Sequence, residues 1–309
     1  MAVSGTVAFT PKYLETQFGQ HVWMSSILTG LLRLVPLFFG VFIGGFITSK
    51  KKFSPVTCVK YLVFVSTLDV LYHIISIFLG CSTPEIIGFN YSTKNSTKCL
   101  ENCSCDATFF PSCGADGMNY FSPCYAGCIS QEQQTYVSCS CLESYGDTAT
   151  SGFCTTNCAS LVPYIVTTLL FTFVLSTGGI PGFIFLIRTV SDKEKGMAVG
   201  FSAFLVTLLG WFPGPVLYGK IIDQACILWS SNTSKTGACT LYDNDKFRSY
   251  VYGLNIFFNT SNLVLKIVQL RIARKKTDWA EAEVEKKPEV DKLYQENPEV
   301  EPNEMSVML

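Results

Sequence analysis

The chain has 309 residues, of which 48% are hydrophobic and only 15% charged, with a mean hydropathy of +0.30. A soluble domain usually carries about 25% charged residues, so a soluble cytosolic enzyme is excluded. The net charge of −1 offers no global field to hold nucleic acid, and fourteen Cys are too many for a reduced cytosolic compartment.

In chain order, the sequence opens on an uncharged apolar stretch, Met1 to Thr10. It reads as the outer end of a preceding membrane helix in a truncated chain. An α-helix needs about 20 mainly apolar residues to cross the hydrocarbon. Five stretches qualify: 22–47, 56–80, 161–188, 197–220 and 250–270, the last weakened by Asn and Lys. Basic residues collect in cytoplasmic loops. Lys50, Lys51 and Lys52 follow the first span; Arg188, Lys193 and Lys195 follow the third; Arg271, Arg274, Lys275 and Lys276 follow the fifth. Those three places are therefore assigned to the cytoplasm, and the loops 81–160 and 221–249 to the outside. Residues 1–20 also fall outside, with no secretory signal before them. The tail, 272–309, is charged, contains Pro288, Pro298 and Pro302, and reads as disordered and cytoplasmic. Its end, Val307-Met308-Leu309, faintly resembles a ligand for a PDZ-type adaptor. The fold class is an all-α polytopic membrane protein in a lipid bilayer.

The loop 81–160 holds eleven Cys and no His: Cys81, Cys99, Cys103, Cys105, Cys113, Cys124, Cys128, Cys139, Cys141, Cys154 and Cys158. Structural zinc needs paired Cys or Cys with His at short spacing, so disulfides are expected instead. Sequons at Asn90, Asn95, Asn102 and Asn232 suit glycosylation on an outer surface. Cys226 and Cys239 are expected to close the second loop. Thirteen outer Cys is an odd number, which leaves one free or intermolecular. Cys58, at the cytosolic end of a span, reads as an inert buried thiol.

The spacing Cys103-x-Cys105-x7-Cys113-x10-Cys124-x3-Cys128-x10-Cys139-x-Cys141, with the run from Ser112 to Tyr120, resembles a Kazal module. The resemblance implies Cys105–Cys124, Cys113–Cys141 and Cys99–Cys128. Cys103 and Cys139 compete for the remaining bridges, with Cys81, Cys154 and Cys158 still to pair, and sequence does not settle connectivity. A free Kazal module implies protease inhibition. Tethered to spans at both ends, this one reads as a rigid glycosylated cap.

A Kazal-like insert between two spans, followed by three more, resembles the organic-anion-transporting polypeptide family. The supporting stretches are Pro11 to Gly19, Gly44 to Ile47, Gly196 to Phe201, and Pro213 to Gly219, with Ile222-Asp223 and Cys226 to Trp229. The resemblance implies a twelve-span major-facilitator fold at the plasma membrane. This chain corresponds to its second six-helix bundle, lacking most of the first helix. It also implies sodium-independent alternating-access transport of amphipathic organic anions (bile salts, steroid conjugates, hormones). Thr207 stands where relatives often carry Arg. The rival reading is a transport-incompetent membrane protein acting as an interaction or protease-inhibitor-like module through its Kazal-like loop. The missing N-terminal half, carried on another chain, is a further candidate partner.

Charged groups at bilayer depth cost at least about 2.5–3.5 kcal/mol each, so each needs a reason. Arg33 and Asp69 fall at similar depth in the first two spans. Arg33 reads as the attractor of a sulfate or carboxylate, or as half of a self-neutralising pair with Asp69, with the pair slightly favoured. His73 lies one turn after Asp69; packing is favoured over pH sensing. Asn255, Asn259, Asn262 and Lys266 recur at steps of four, three and four, a stripe that should face the bundle interior or a watery path. Gly40 and Gly44 form a small-xxx-small contact. Gly178, Gly179, Pro181 and Gly182 interrupt the third span, and Gly210, Pro213, Gly214 and Pro215 the fourth, and interrupted helices point to a transport site. Trp211, Phe212 and Tyr218, near that interruption, could stack an amphipathic ligand, although lipid-facing aromatics are commoner. No catalytic constellation, phosphate-binding loop or cofactor motif appears.

Overall fold

The structure, a computed structural model, describes residues 1–89, 105, 108–132, 135–142, 146–154, 158–232 and 235–276. Three helices come first: α1 (Ala2–Phe18), α2 (Val22–Lys50) and α3 (Pro55–Phe78). A stranded insert follows, and then α4 (Leu161–Ser176), α5 (Gly179–Arg188), α6 (Lys195–Val206) and α7 (Pro213–Ile222). A hairpin, β7 (Cys226–Asn232) and β8 (Lys235–Tyr242), leads into the last helix, α8 (Asn244–Lys275). Local chemistry sets the boundaries. Gly19 ends α1 at φ 61°, a left-handed conformation that costs glycine little. Ser54 caps α3 by accepting from the Thr57 N–H, with Pro55 in the first turn. Asp243 caps α8 by accepting at 3.1 Å from the N–H groups of Asp245 and Lys246.

Among the described residues four helical stretches are long and apolar enough to cross a membrane: Val22–Lys50, Pro55–Phe78, Leu161–Arg188 and Asp192–Ala225. They overlap the first four expected spans. The fifth stretch, 250–270, lies in α8, which at 32 residues is longer than any other helix here but does not share their apolar character. At about 1.5 Å per residue it still reaches farther than the roughly 30 Å of a hydrocarbon core.

Glycine lets two helices touch. A Cβ on Gly44 would collide with the backbone of Thr177, and one on Gly40 with Ser176 and the Phe173 carbonyl. The expected small-residue contact therefore brings α2 against α4, where α4 gives way to α5. The interruption at Gly210 is a π-helical turn, Thr207–Trp211. The Ser4 hydroxyl of α1 donates to the Gly210 carbonyl at 2.7 Å, satisfying a group next to the break. Elsewhere α3 packs on α8, and α1 on α2, α7 and α8. Near the insert the bundle closes on Tyr13, Leu14, Phe18, Tyr164, Phe247 and Tyr252. By contrast α6 has no buried residue, and Met197, Phe201 and Phe204 are exposed.

The insert forms a six-stranded sheet from β1 (Ile86–Ile87), β2 (Ser112–Gly114), β3 (Asn119–Tyr120), β4 (Ser130–Glu132), β5 (Thr135–Val137) and β6 (Thr148–Ser151). The strand order is β1-β3-β2-β6-β5-β4, and only β1–β3 is parallel. Its small core holds Ile87, Tyr120, Ala126, Leu142 and Ala149. Tyr120 donates to Asp116 Oδ2 at 2.8 Å across the turn that Gly117 makes at φ +79°.

Two expected bridges form, Cys105–Cys124 and Cys226–Cys239. Two others need correction: Cys113 bonds Cys154 rather than Cys141, and Cys128 bonds Cys139 rather than Cys99. The sheet explains both. Cys113 pairs in register with Thr150 of β6, so the chain leaving β6 returns Cys154 to it, with the Cys154 N–H donating to Asn119 at 2.8 Å. The β4–β5 hairpin closes between Cys128 and Cys139 and brings their Cα atoms to 3.7 Å. Cys81–Cys158 joins the two ends of the insert. Cys141 is also bonded, to a partner outside the described residues, while Cys58 is free and buried. The calls on Cys99, Cys103, Asn90, Asn95 and Asn102, and on the tail beyond residue 276, lie outside the described residues. Asn232 ends β7, beside the hairpin turn.

Candidate functional site

Five helices carry small polar or charged residues three or four apart, which places each set on one face. They are Thr6 and Thr10 on α1; Thr29 and Arg33 on α2; Ser66, Asp69 and His73 on α3; Thr168, Thr172 and Ser176 on α4; and the Asn stripe with Lys266 on α8. All of these faces line one cavity of about 360 Å³, with Tyr72, Tyr164 and Tyr252 among its walls. The cavity thus gathers Arg33, Asp69, His73, Asn255, Asn259, Asn262 and Lys266, seven of the residues singled out from sequence. Two others stay away. Thr207 and Trp211 lie exposed in the π turn, which packs on the start of α1 rather than on the cavity. Phe212 is likewise exposed, whereas Tyr218 turns inward and is fully buried.

The ion pair expected between Arg33 and Asp69 is absent. Among the described residues Arg33 has no carboxylate partner; its Nη2 donates to the Thr10 hydroxyl at 3.3 Å. Asp69 instead faces its helical neighbour, with Oδ1 at 3.3 Å from His73 Nε2. One turn before Asp69, the Ser66 hydroxyl accepts from Lys266 Nζ at 2.7 Å, which ties α3 to α8. The reason is local: Asp69 finds a partner one turn away on its own helix, and Arg33 points across to α1. By formal charge, leaving His73 out of the count, Arg33 and Lys266 outnumber Asp69 in the cavity by one.

The buried amide of Asn255 holds three helices together. Its Oδ1 accepts from Tyr218 Oη at 2.6 Å and lies 3.0 Å from the Thr6 hydroxyl, joining α8 to α7 and α1. Among the described residues its Nδ2, like His73 Nδ1, is buried without a partner. Buried polar atoms are usually hydrogen-bonded, so these two are places where a ligand group gains most. Asn259 is half-buried and Asn262 exposed along the same stripe.

Sequence reasoning missed the tyrosines and most of the hydroxyls, although their spacing carried a signal. Tyr252 precedes Asn255 by three residues and extends the stripe by a turn. Ser66 precedes Asp69 by three, and Tyr164, Thr168, Thr172 and Ser176 recur every four. In apolar spans such residues read as background. Only the convergence of five faces makes them a lining. No cluster of three or more metal-ligating side chains occurs among the described residues.

Residues 1–247 match the family model described as Organic Anion Transporter Polypeptide (OATP) family. The chain is 32% identical over 292 residues to the solute carrier organic anion transporter family member 2B1 of Mus musculus, covering 89% of this chain and 43% of that one. It is 31% identical over 267 residues to member 74D of Drosophila melanogaster, covering 82% of this chain and 32% of the relative. It is 32% identical over 289 residues to member 1A1 of Rattus norvegicus, covering 86% and 43%. The chain therefore spans well under half the length of these curated relatives.

Proposed function

The chain belongs to the Organic Anion Transporter Polypeptide family, and from that premise we propose that it takes part in moving amphipathic organic anions across a membrane. The observation that carries this reading is Arg33: a half-buried guanidinium on the cavity wall with no carboxylate within ion-pair distance among the described residues. A sulfate or carboxylate supplies the missing charge and accepts from the guanidinium fork. The tyrosine walls receive an apolar or ring-bearing body. The relatives are named as organic anion transporters, which agrees with an anionic solute. Bile salts, steroid conjugates and hormones fit it, and no sodium site is needed to balance one anion against one excess positive charge.

The transport step is alternating access, in which two bundles rock about a central site without covalent chemistry. This chain supplies one bundle of a major-facilitator arrangement. The exposed apolar face of α6, which has no buried residue and carries Met197, Phe201 and Phe204, is where lipid or a second bundle packs. α8 serves as the fifth span, its polar stripe turned to the cavity. The insert is an extracellular, glycosylated, Kazal-like cap whose disulfide framework reaches to Cys154, and the C-terminal tail is cytoplasmic. The site is a plasma-membrane one.

Equilibrium binding of a radiolabelled steroid sulfate to the detergent-purified chain tests the reading. Arg33→Ala is expected to weaken binding by tenfold or more, the size of one charge-assisted hydrogen bond of about 1.5–3 kcal/mol. Arg33→Lys is expected to fall between. Unchanged affinity in Arg33→Ala removes Arg33 from the site. A properly folded chain that binds no steroid sulfate favours the interaction-module reading instead.

A further inference from the structure

A second and larger cavity, about 580 Å³, lies where the bundle meets the insert. It shares no lining residue with the central one. One wall is the second half of α1, with Lys12 and Glu15; the facing wall is Leu241 and Tyr242 of β8; Phe153 and the two ends of the insert complete it. Those ends are held together by Cys81–Cys158, so the wall is built before any ligand arrives. Cavities of about 300–1,000 Å³ hold drug-sized ligands.

The chemistry of this lining is specific. Lys12 Nζ sits 5.9 Å from the centre of the Tyr242 ring and 2.9 Å from Glu15 Oε1. Burial, followed by the Asp223 and Glu15 carboxylates, holds the Tyr242 phenol above its usual range, so its ring is uncharged. The Lys12–Glu15 pair is about a third exposed on both sides. A pair that exposed is weak, and its carboxylate is readily exchanged for that of a ligand. Glu15 and Glu85 otherwise make the rim acidic, which leaves Lys12 as the anchor for an anion.

Between the cavities lies a layer of rings. Tyr242 stacks on Phe247 at 5.2 Å, and Phe247 meets Tyr13 at 5.8 Å. Tyr13 in turn meets Tyr164 at 5.7 Å and Tyr252 at 5.6 Å, both on the wall of the central cavity. Tyr13 lines neither cavity and is 3% exposed, and its hydroxyl is directed at Tyr252 on the wall of the central cavity.

We propose that the insert-side cavity is a second site for an amphipathic organic anion, in series with the central one. Lys12 holds the acid group, Leu241, Tyr242 and Phe153 hold the apolar body, and Tyr13 is the partition the solute must pass. The inference rests on the transport reading above and adds to it a loading station and its gate.

The test uses Thr16→Cys to report on the insert-side cavity and Thr172→Cys to report on the central one. Each is reacted with a methanethiosulfonate reagent in the purified full chain, with and without dehydroepiandrosterone sulfate. The probe should slow modification at both positions at least threefold. Lys12→Gln should abolish the slowing at Thr16→Cys alone, Arg33→Ala should abolish it at Thr172→Cys alone, and Glu15→Gln should bring protection at Thr16→Cys to lower probe concentration. Protection at Thr172→Cys without protection at Thr16→Cys overturns the second site and leaves the central one standing. Protection at neither position overturns the transport reading as well. For the partition, an impermeant reagent applied outside intact cells should reach Thr172→Cys several-fold faster in Tyr13→Ala. Tyr13→Leu keeps apolar bulk should the alanine variant not fold, with retained protection at Thr16→Cys as its folding check. No acceleration in a folded variant removes Tyr13 from that role.

Discussion

The helix bundle lines its cavity with residues three and four apart on single helices, whereas the insert is held by cysteines 11 to 77 residues apart. A helical face is decided by 3.6 residues per turn, so its members are set by spacing alone. A disulfide joins whatever the strands bring together, so its members depend on sheet order. The bundle therefore tolerates losing one polar residue, while the insert depends on particular pairs.

The sharpest way to break that comparison is to remove Cys113 and Cys154 together. Cys113→Ser with Cys154→Ser is expected to destabilise the insert by about 2–5 kcal/mol. Limited proteolysis should then cut the insert while steroid-sulfate binding in the bundle persists; loss of both at once would show that the two regions fold as one unit. Next in size is Gly44→Leu, which drives a side chain into the Thr177 backbone. An overpacked contact costs about 1–3 kcal/mol, read as a lower thermal midpoint of the purified chain. Gly45→Leu is the control, because a Cβ there meets only Ile180 at 3.6 Å. Equal losses in the two variants would refute a specific α2–α4 contact. Tyr218→Phe should cost about 1 kcal/mol by depriving buried Asn255 of one donor. Combined with Asn255→Ala it should be markedly non-additive, and simple additivity would argue that the two do not interact.

The smallest effect is alkaline. Burial, then the hydrogen bond to Asp116 and its charge, raises the Tyr120 phenol above the usual tyrosine range. The folded insert thus keeps that proton more tightly than the unfolded chain. Its contribution to stability is complete below about pH 10, the ordinary tyrosine value, and disappears as pH climbs through the raised one. Tyr120→Phe should flatten this alkaline loss; an unchanged profile would assign it to another group.

Much of the candidate site was legible in the sequence. The stripe Asn255, Asn259, Asn262 and Lys266 needed only helical geometry, and Arg33, Asp69 and His73 needed only the cost of charge in an apolar span. The partners were not legible. Depth along two spans made Arg33 and Asp69 look like a pair, but depth says nothing about rotation, and rotation turned Asp69 toward His73 and Arg33 toward Thr10. Thr207 and Trp211 were misplaced for a related reason. Their interrupted helix does break, but the break packs on α1 and leaves both side chains outside the cavity.

By itself the sequence determined four apolar helices, a long polar-striped fifth, a crosslinked insert and the family they belong to, because hydropathy, spacing and cysteine content are properties of the chain read locally. Only the tertiary structure decided which cysteines meet, which charges stay unpaired and where the second cavity lies. Those depend on strand order, helix rotation and the contact of segments distant in sequence, and no period in the sequence records them.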